Sequence, residues 1–492
     1  MGETFVEYAS AFFETTVFIY GVALLMIYAM LAVLSFLNIR LFLRKESYTD
    51  YKVIVGSPLA PGISVIAPAF NEGLTIISNV RSLLTFDYPN YEVIIINDGS
   101  TDDTLEKVVR EFSLVKVDFA YDVKLSAKPV RGVYKSKDEA YAKLVVVDKE
   151  NGKSKADATN VGINVSQFPY FLCTDVDCIL HEQTLQMLIR PMMEEEHKRV
   201  IATGATLRMA NSCEVDEGVL LKIKAPRPLL ARFQELEYIR SFVLGKMGWS
   251  YINAVPNVSG GLGMFDKEIA VKAGGYDPAS FGEDMELRMR MSRYVYDNKI
   301  DAAVRYIPNT LCWTEGPTSV KIFMRQRTRW ARGLLQLMLA HKKMLFNPAY
   351  GRVGMIVFPY NFFFELMAPV IEFLGIIYYL FLIYFGLVNW PYAIILLIFV
   401  YTYSVMISSL SVLWDQLTFQ YYKTWKDVVR IVLMVFVEML IYHPLIVVFA
   451  LRGYYFQLTN RKHSWGNMQR AGFKKTTDNK PKSTPNPTPA AT

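Results

Sequence analysis

The uncharged segment Thr15–Ile39 is the feature that most constrains how this chain can fold. A helix needs about 20 apolar residues to cross a hydrocarbon layer of roughly 30 Å, and this segment exceeds that length. A secretory signal peptide would be shorter and would combine a basic start with a cleavage site of small residues, and neither frames this segment. We therefore predict a transmembrane helix close to the amino terminus.

Further apolar segments lie near the carboxyl end. The uncharged run Phe373–Trp414 is interrupted by Gly386 and Pro391, which predicts two spans joined by a short turn. The run Ile431–Ala450 predicts another span, in which a proline is tolerated. The stretch Arg352–Val370 is apolar but contains two prolines and a glutamate, which favours an interfacial or re-entrant helix.

Basic residues indicate the orientation of these segments. Acidic residues precede the first span and Arg40 and two further basic residues follow it, so the positive-inside rule places residues 40–350 in the cytosol. Residues 452–492 contain eight Lys or Arg and one acidic residue, which accounts for the whole net charge of +7. A tail this basic is expected in the cytosol, yet three spans after a cytosolic domain would place it outside. Either one segment does not cross fully, or the region Val353–Val388 crosses twice.

Composition excludes some classes of function. Without its tail the chain is close to neutral, so no basic face indicates nucleic-acid binding. The four cysteines form neither a CxxC pair nor a zinc-ligand spacing, and a cytosolic location makes disulfides unexpected. We divide the chain into an N-terminal transmembrane helix (1–45), a cytosolic domain (46–350), interfacial and transmembrane helices with about three spans (351–456), and a basic, largely disordered tail (457–492).

The polar middle of the chain alternates strand-like and helix-like segments. Apolar strands are predicted at Ile63–Ala67, Val93–Ile96, Leu144–Val147, Phe171–Cys173 and Val200–Thr203. This alternation predicts an α/β fold with a mostly parallel sheet, helices on both faces, and ligands at the carboxyl ends of the strands. The polar segment Tyr121–Ala140 is predicted to be a long loop, without an assigned function.

Polar residues close the first two predicted strands. They are Pro68, Phe70, Asn71 and Glu72 after the first strand, and Asn97-Asp98-Gly99-Ser100 after the second. A carboxylate beside a glycine, as at Asp98, suits hydrogen bonds to a uracil ring or to ribose hydroxyls. The alternative for this pattern by itself is a turn that caps the following helix. Its position at the end of a sheet strand favours a nucleotide site.

Asp175 and Asp177 follow the apolar strand Phe171–Cys173. Two carboxylates one residue apart repel each other, and at the end of an apolar strand they are costly unless a cation lies between them. A hard divalent cation such as Mg²⁺ or Mn²⁺ takes oxygen ligands and can bridge a protein to a diphosphate. We predict a metal site here, with a solvated turn as the alternative.

Charged residues open two of the predicted helices. Lys155 and Asp157 follow a flexible segment, where a lysine can either reach a bound nucleotide or stay solvated. Glu283 and Asp284 precede the helical run Met285–Met291. The helix dipole keeps an acid at this position ionised, so Asp284 is either a capping residue or a general base at a sugar site.

A third group of residues lies on the helix predicted from Val320 to Lys343. Gln326, Arg329 and Trp330 have the spacing i, i+3 and i+4, and therefore share one face. The arginine can hold a diphosphate with its fork of donors, and the tryptophan offers an apolar plane to a sugar ring. An amphipathic helix against the membrane would explain the tryptophan, but not a glutamine and an arginine on the same face.

Ionisable residues also lie within the apolar regions. Glu365 and Glu372 share a helical face, and Glu438 and His443 lie in the last span. Such groups are costly in a membrane and usually face a protein interior or a wet path. We predict that some of them line a sugar-conducting channel, with placement at the membrane interface as the alternative.

In this order and between membrane spans, the motifs resemble those of the processive family-two glycosyltransferases. The motifs are Asn71-Glu72, Asn97-Asp98-Gly99-Ser100, Asp175-Val176-Asp177, Gly282-Glu283-Asp284 and Gln326-Arg327-Thr328-Arg329-Trp330. The family includes cellulose, hyaluronan, chitin and poly-β-1,6-N-acetylglucosamine synthases. The resemblance covers about residues 55–350 in motifs and the flanking spans in architecture.

The resemblance implies a GT-A fold and inverting, metal-dependent transfer of a sugar from a UDP-sugar to a growing β-linked polysaccharide, with export across the membrane. It implies that Asp284, with Glu283 beside it, is the catalytic base, and that Asp175 and Asp177 bind Mg²⁺ or Mn²⁺. The nucleotide-sugar contacts that it implies are made by Pro68, Phe70, Glu72, Asp98, Lys155, Asp157 and Asp175. The acceptor sugar and the diphosphate would be held by Ser259, Gln326, Arg329 and Trp330.

The resemblance also bears on donor, partners and location. The Gly-Glu-Asp motif at residues 282–284 is similar to that of the aminosugar synthases, which favours UDP-N-acetylglucosamine as the donor. The expected partners are a UDP-sugar, a polysaccharide acceptor, the lipid bilayer and a small membrane or periplasmic accessory subunit, without nucleic acid. The expected location is a plasma membrane, in a bacterium the inner one, with several spans. A transferase that adds a single sugar to a membrane lipid and a scaffold protein with an inactive transferase domain are the alternatives.

Overall fold

The structure is a computed structural model that describes residues 2–48, 57 and 59–461, with side chains from residue 13 onward. The helices are α1 (Gly2–Glu46), α2 (Ile76–Leu83), α3 (Thr104–Glu111), α4 (Lys155–Val165), α5 (Thr184–Glu194), α6 (Leu229–Ile239), α7 (Met247–Tyr251), α8 (Lys267–Lys272), α9 (Glu283–Asp297), α10 (Val320–Ala340), α11 (Val353–Phe385), α12 (Trp390–Phe419) and α13 (Trp425–Leu458). A π-helical stretch, Arg240–Lys246, joins α6 to α7.

The strands are β1 (Ile63–Ala69), β2 (Tyr91–Asn97), β3 (Leu114–Val117), β4 (Val130–Ser136), β5 (Leu144–Lys149), β6 (Tyr170–Thr174), β7 (Ile179–Leu180), β8 (Arg199–Met209), β9 (Glu214–Asp216), β10 (Val219–Lys222), β11 (Leu262–Asp266) and β12 (Ala302–Thr314). Ten of them form one sheet in the order β3-β4-β5-β2-β1-β6-β11-β8-β12-β7, and β9 and β10 form a separate hairpin.

The centre of the large sheet is parallel. Strands β5, β2, β1 and β6 run in one direction, and β8 pairs in parallel with β12. Residues of β2 are buried on both faces, as expected of an apolar strand covered by helices. The pairing of Ala69 with Asn97 brings the carboxyl ends of β1 and β2 together at one edge. The predicted α/β fold is confirmed.

The sheet also contains antiparallel strands, which the alternation of strand-like and helix-like segments in the sequence did not predict. β4 lies within the segment Tyr121–Ala140, so the prediction of a long loop there is wrong. It pairs with β3 and β5 as part of the sheet margin, where a strand needs little apolar character because one face stays exposed. β11 inserts antiparallel between β6 and β8, and its preceding loop reaches the same edge as the carboxyl end of β6.

Four helical segments in the described ranges are long and apolar enough to cross a membrane. They are Phe13–Glu46 within α1, and α11, α12 and α13. Gly386 ends α11 with a positive φ of 69°, and Asn389 caps α12, so the predicted break between these two spans is present. These helices expose many large apolar side chains, as expected of surfaces in contact with lipid.

α11 runs as one helical segment from Val353 to Phe385, without the reversal of direction that two crossings of this region would need. The stretch predicted as a separate interfacial helix forms its first half. Two π-helical stretches flank Pro359 and let the helix pass it without a break. Residues 462–492, which make up most of the predicted tail, lie outside the described residues, and so does their predicted disorder.

A buried ion-pair network joins the sheet to the membrane helices. Arg208 of β8 is fully buried, and its guanidinium donates to Glu235 of α6 at 2.7 Å and to Asp415 of α12. Tyr422 donates a further hydrogen bond to Glu235 at 2.6 Å. Because a buried charge without its partner is costly, this network fixes the large sheet against α12.

Candidate active site

The loops after β1 and β2 hold each other in place. The Asn71 amide donates to the Ser100 hydroxyl at 3.0 Å, and the Asn71 side chain accepts from the Thr101 amide at 2.8 Å. Asn71 has a positive φ of 56°, a conformation that asparagine tolerates better than most residues. Phe70 is 38% exposed beside this turn. The two predicted nucleotide-binding segments therefore form one rigid edge, which displays an exposed aromatic ring.

Pro68 lies inside β1 rather than after it. The strand is paired with β2 along its full length, whereas its pairing with β6 stops at Ile66. Proline lacks an amide hydrogen, so it is tolerated where one neighbouring strand has already ended. Glu72 donates its backbone amide to the Thr104 hydroxyl at 2.9 Å.

Asp98 and Asp157 form a buried charge network around Lys149. Lys149 has no exposed surface, and its ammonium lies 2.6 Å from Asp98 and 2.7 Å from Asp157. Asp98 also accepts from the Gly152 amide at 2.9 Å, and Asp157 accepts from the Lys128 amide at 3.0 Å. These contacts fix the loop between β5 and α4. Direct contact of either carboxylate with a nucleotide stays a prediction.

Asp175, Asp177 and Cys178 lie together after β6, with ligand atoms within 4.8 Å of one another. The two carboxylates fit a hard divalent cation, which takes oxygen ligands. A hydrogen bond with the Cys312 thiol, together with burial, raises the pKa of the Cys178 thiol well above its ordinary value. Cys178 therefore stays protonated at neutral pH and is not expected to bind Mg²⁺ or Mn²⁺.

Lys155, at the start of α4, reaches across to this acidic group. Its ammonium donates to Asp175 at 2.5 Å and to the Gly260 carbonyl at 2.7 Å. Burial alone would lower the pKa of Lys155, but the neighbouring carboxylates of Asp175 and Glu283 hold it above its usual range. Lys155 is therefore a permanent cation beside the predicted metal ligands.

Glu283 and Asp284 begin α9 on the other side of the Gly260–Gly261 turn. A Cβ atom placed on Gly260 would meet the Asp284 carboxylate at 3.4 Å, and one on Gly261 would meet Asp175 at 3.8 Å. Ser259 lies directly before this turn. The loop before β11 thus brings two residues without side chains next to both Asp175 and Asp284.

Glu283 is buried, and burial and the adjacent Asp284 raise the pKa of its carboxyl group. Arg329 of α10 lies 3.6 Å from this carboxyl group and donates to the Phe281 carbonyl at 3.1 Å. One Glu283 oxygen has no hydrogen-bond partner among the described side chains and backbone. Glu283 lies toward Arg329, whereas Asp284 lies next to the Gly260–Gly261 turn, so Asp284 is the better-placed candidate for the base.

Close packing places α10 at this position. A Cβ atom on Gly333 would come within 2.7 Å of the Gly282 amide nitrogen, so the start of α9 lies directly on α10. The Gln326 side-chain oxygen is buried without a hydrogen-bond partner in the described part of the chain. The Trp330 ring is stacked by the Arg327 guanidinium at 4.4 Å. The predicted acceptor residues Gln326, Arg329 and Trp330 therefore all lie on α10, and Arg329 connects this helix to α9.

The sequence did not identify Lys246, which also lies near Asp284. It is buried beside the rings of Phe242 and Tyr306, with its ammonium 4.5 Å and 5.2 Å from their centres. Burial lowers the pKa of Lys246 to about 8, and the charge of Asp284 opposes this shift. A single lysine within the apolar segment 242–249 was the available sequence signal. Lys149 was missed as well, because one of its two partners, Asp98, lies 51 residues away in the chain.

Known protein families and individual proteins match large parts of this chain. The model described as Glycosyl transferase family 2 matches residues 64–125, and the one described as Glycosyl transferase family group 2 matches residues 224–408. The poly-beta-1,6-N-acetyl-D-glucosamine synthase of Staphylococcus epidermidis is 25% identical over 304 residues, which are 61% of this chain and 62% of that protein. The probable glycosyltransferase YdaM of Bacillus subtilis is 28% identical over 310 residues, 62% of each chain.

Among solved structures, the mannosyltransferase PcManGT of Pyrobaculum calidifontis, in complex with GDP-Man and Mn²⁺, superimposes with a TM-score of 0.48 at 14% identity, over 88% of this chain and 99% of that one. The matches to the curated relatives span about three fifths of their length. The two family matches include the polar loops after β1 and β2, the start of α9 and the whole of α10. The chain belongs to the family-two glycosyltransferases.

Proposed function

We propose that this chain is an inverting, metal-dependent glycosyltransferase that transfers a sugar from a UDP-sugar to a growing β-linked polysaccharide, and that the membrane helices conduct the product. UDP-N-acetylglucosamine is the proposed donor, which agrees with the names of several similar curated proteins. The observation that carries the proposal is the meeting of Asp175, Lys155 and Asp284 around the Gly260–Gly261 turn, with Arg329 beside Glu283 at the start of α9.

The two sides of this turn differ in their chemistry. On one side, Asp175 and Asp177 would hold a divalent cation, which would supply Lewis-acid stabilisation of the leaving diphosphate. On the other side, Asp284 lies in the first turn of α9, next to the Gly260–Gly261 turn. This is the arrangement that in-line displacement needs, with the leaving group at one end and the base at the other.

Each charged residue then has one task. Asp284 accepts the proton of the acceptor hydroxyl, so that the oxygen can attack the anomeric carbon while UDP leaves from the opposite face. Lys155 and Arg329 are the cations next to the site that can contact the diphosphate oxygens. Glu283 lies 3.6 Å from Arg329 and is proposed to hold its guanidinium in position beside the site.

Polymer extension is supported by the acceptor side of α10. Trp330 has Arg327 against its ring, which orients the indole as a platform for a sugar. Gln326 has a buried side-chain oxygen able to accept a hydrogen bond from a sugar hydroxyl. A site for a sugar that remains bound beside the base is what repeated addition requires.

Export is supported by polar groups that converge between the helices. Glu365 of α11 accepts from Tyr360 at 2.9 Å, and it interacts electrostatically with Tyr20 of α1 and with Arg240. Glu372 lies 2.8 Å from the His443 ring of α13. Polar groups from several membrane helices that face one another suit a path for a hydroxyl-rich polymer.

Glu438 takes a different role from the one predicted. It is buried and forms a two-fold hydrogen-bonded ion pair with Arg240 at 2.7 and 2.8 Å, and it accepts from Ser408. We therefore assign Glu438 to the packing of α13 against α12 and the π-helical stretch. The proposed path is left to Glu365, Glu372 and His443, in a protein with several spans and a cytosolic catalytic domain.

The proposal is tested with the full chain in lipid nanodiscs. A panel of UDP-sugars is supplied with Mg²⁺ or Mn²⁺, and UDP release and product length are followed together. Long polymer, lost on adding EDTA or on replacing Asp177 with asparagine, is the expected result. A product with one added sugar on lipid would replace polymer synthesis by the single-addition reaction. Absence of turnover with every donor would overturn the enzymatic assignment.

A further inference from the structure

A second cavity lies at the opposite edge of the sheet from the candidate active site. It has a volume of about 250 Å³ and is lined by the starts of β8 and β12, by α9 and by the first residues of α11. Because β8 and β12 run parallel to β6, their amino ends lie away from the carboxyl ends that carry Asp175 and Asp177. The cavity is therefore separate from the proposed donor site.

Arg288 lines this cavity and has no acidic partner among the described residues. It is 2% exposed, its Nε atom has no hydrogen-bond partner, and one terminal nitrogen contacts only the Met289 sulfur at 3.6 Å. Burial lowers the pKa of Arg288 to about 10, and Tyr296 opposes this shift slightly. A buried cation without a counter-charge is unfavourable, so an anion bound in the cavity beside Arg288 would be stabilised there.

Further groups around Arg288 suit the same ligand. Lys198 lies at the rim, paired with Asp301 at 2.9 Å, and Arg352 lines the cavity one residue before α11. The hydroxyl-bearing residue Ser292 lies one turn after Arg288 on α9 and lines the cavity too. Three cations and one carboxylate leave an excess of positive charge, and the guanidinium fork matches phosphate oxygens particularly well.

We propose that this cavity binds a phosphate-bearing anion through Arg288. The cavity volume accommodates a phosphate group with a small polar substituent. The start of α11 lies at its mouth, so the phosphate can belong to the headgroup of an anionic lipid or to a soluble compound. α9 carries Asp284 at one end and Arg288 in its middle, and binding therefore steadies the helix that positions the base.

The test compares the wild-type chain with Arg288→Met in nanodiscs, with UDP and Mg²⁺ present throughout so that the donor site is occupied. Arg293→Met is the control, since Arg293 lies on the same helix with its side chain half exposed. One arm compares phosphatidylcholine discs with discs that also contain phosphatidylglycerol. The other arm adds inorganic phosphate to phosphatidylcholine discs. The readout is Tm.

A rise in Tm of at least about 2 °C is expected for the wild type and for Arg293→Met, and its loss is expected for Arg288→Met. A rise in the phosphatidylglycerol arm alone identifies a lipid headgroup, and a rise with inorganic phosphate identifies a soluble ligand. An equal response of Arg288→Met and wild type in both arms, or no response of any chain, would overturn the proposal. If Arg288→Met does not fold, the exposed Arg352→Gln replaces it, with a weakened response expected and an undiminished one counting against the site.

Discussion

Replacing Asp284 with asparagine separates the proposed base from every other part of the site. Aspartate and asparagine side chains have nearly the same shape. The Asp284 carboxylate lies 3.4 Å from the place of a Cβ atom built on Gly260, and it is not part of the buried networks around Lys149 or Arg208. The substitution therefore leaves the fold and the approach of the donor in place. What it removes is one negative charge and the ability to accept a proton.

The size of the effect follows from the role. Proton transfer by a positioned base contributes roughly 10²- to 10⁴-fold to a rate, which corresponds to about 3 to 5 kcal/mol at about 1.4 kcal/mol for each factor of ten. Glu283 cannot easily replace Asp284, because it is buried, is directed toward Arg329 and has a raised pKa. UDP binding should be unchanged or slightly tighter, since one negative charge near the diphosphate is lost.

The measurement follows transfer and UDP binding in parallel for Asp284→Asn and for Asp297→Asn. Asp297 lies at the far end of α9 with its side chain half exposed, so it controls for the loss of one carboxylate from the same helix. Transfer is expected to fall at least about 100-fold for Asp284→Asn only, with UDP affinity kept. If Asp284→Asn retains more than about a tenth of the wild-type transfer rate, Asp284 is not the base.

Three further variants test other parts of the structure. Lys246→Met should raise Tm at pH 7, because the pKa of Lys246 in the folded chain, about 8, lies below its usual value of 10.5. Between these two pH values the folded chain binds fewer protons than the unfolded chain, so the stability of the wild type rises with pH. The variant should show a flatter dependence of stability on pH. Arg208→Met should destabilise the chain by about 3 to 5 kcal/mol, seen as loss of folded protein after membrane extraction, since two buried carboxylates lose their partner; the exposed Arg293→Met should not. Glu365→Gln combined with Glu372→Gln should reduce polymer transport into sealed vesicles while donor hydrolysis continues, and unchanged transport would remove both residues from the path.

Much of the site could be predicted because its residues follow apolar strands or open helices. The strand Phe171–Cys173 ends where two acids begin, and the structure extends it by one residue at each end. Lys155 and Glu283 are the first residues of their helices, as the pattern indicated. In a parallel sheet the carboxyl ends of strands meet at one edge, so local pattern is enough to bring such residues together.

The internal partners could not be predicted, because they depend on contacts between distant segments. Nothing local to Asp98 indicates that Lys149 of β5 will be buried against it. The same limit explains the missed strand β4, whose polar sequence reads as a loop until β3 and β5 give it partners on both sides. It also explains α11, where the prolines that suggested a separate element are absorbed by π-helical turns.

The motif on α10 shows how transfer and the membrane region are connected. Its Gln326, Arg329 and Trp330 belong to the proposed acceptor site, whereas Arg327 donates to Glu237 of α6 at 2.7 Å and to the Tyr442 hydroxyl of α13 at 2.8 Å. Nearby, a Cβ atom on Gly453 of α13 would come within 2.7 Å of the α10 backbone, so the two helices touch directly. A displacement of α13 therefore moves α10 and, through Arg329, the start of α9 as well. Because the same helix carries the acceptor platform and the anchor to the last membrane helix, the end of a growing polymer and the path proposed for it are held in one rigid frame.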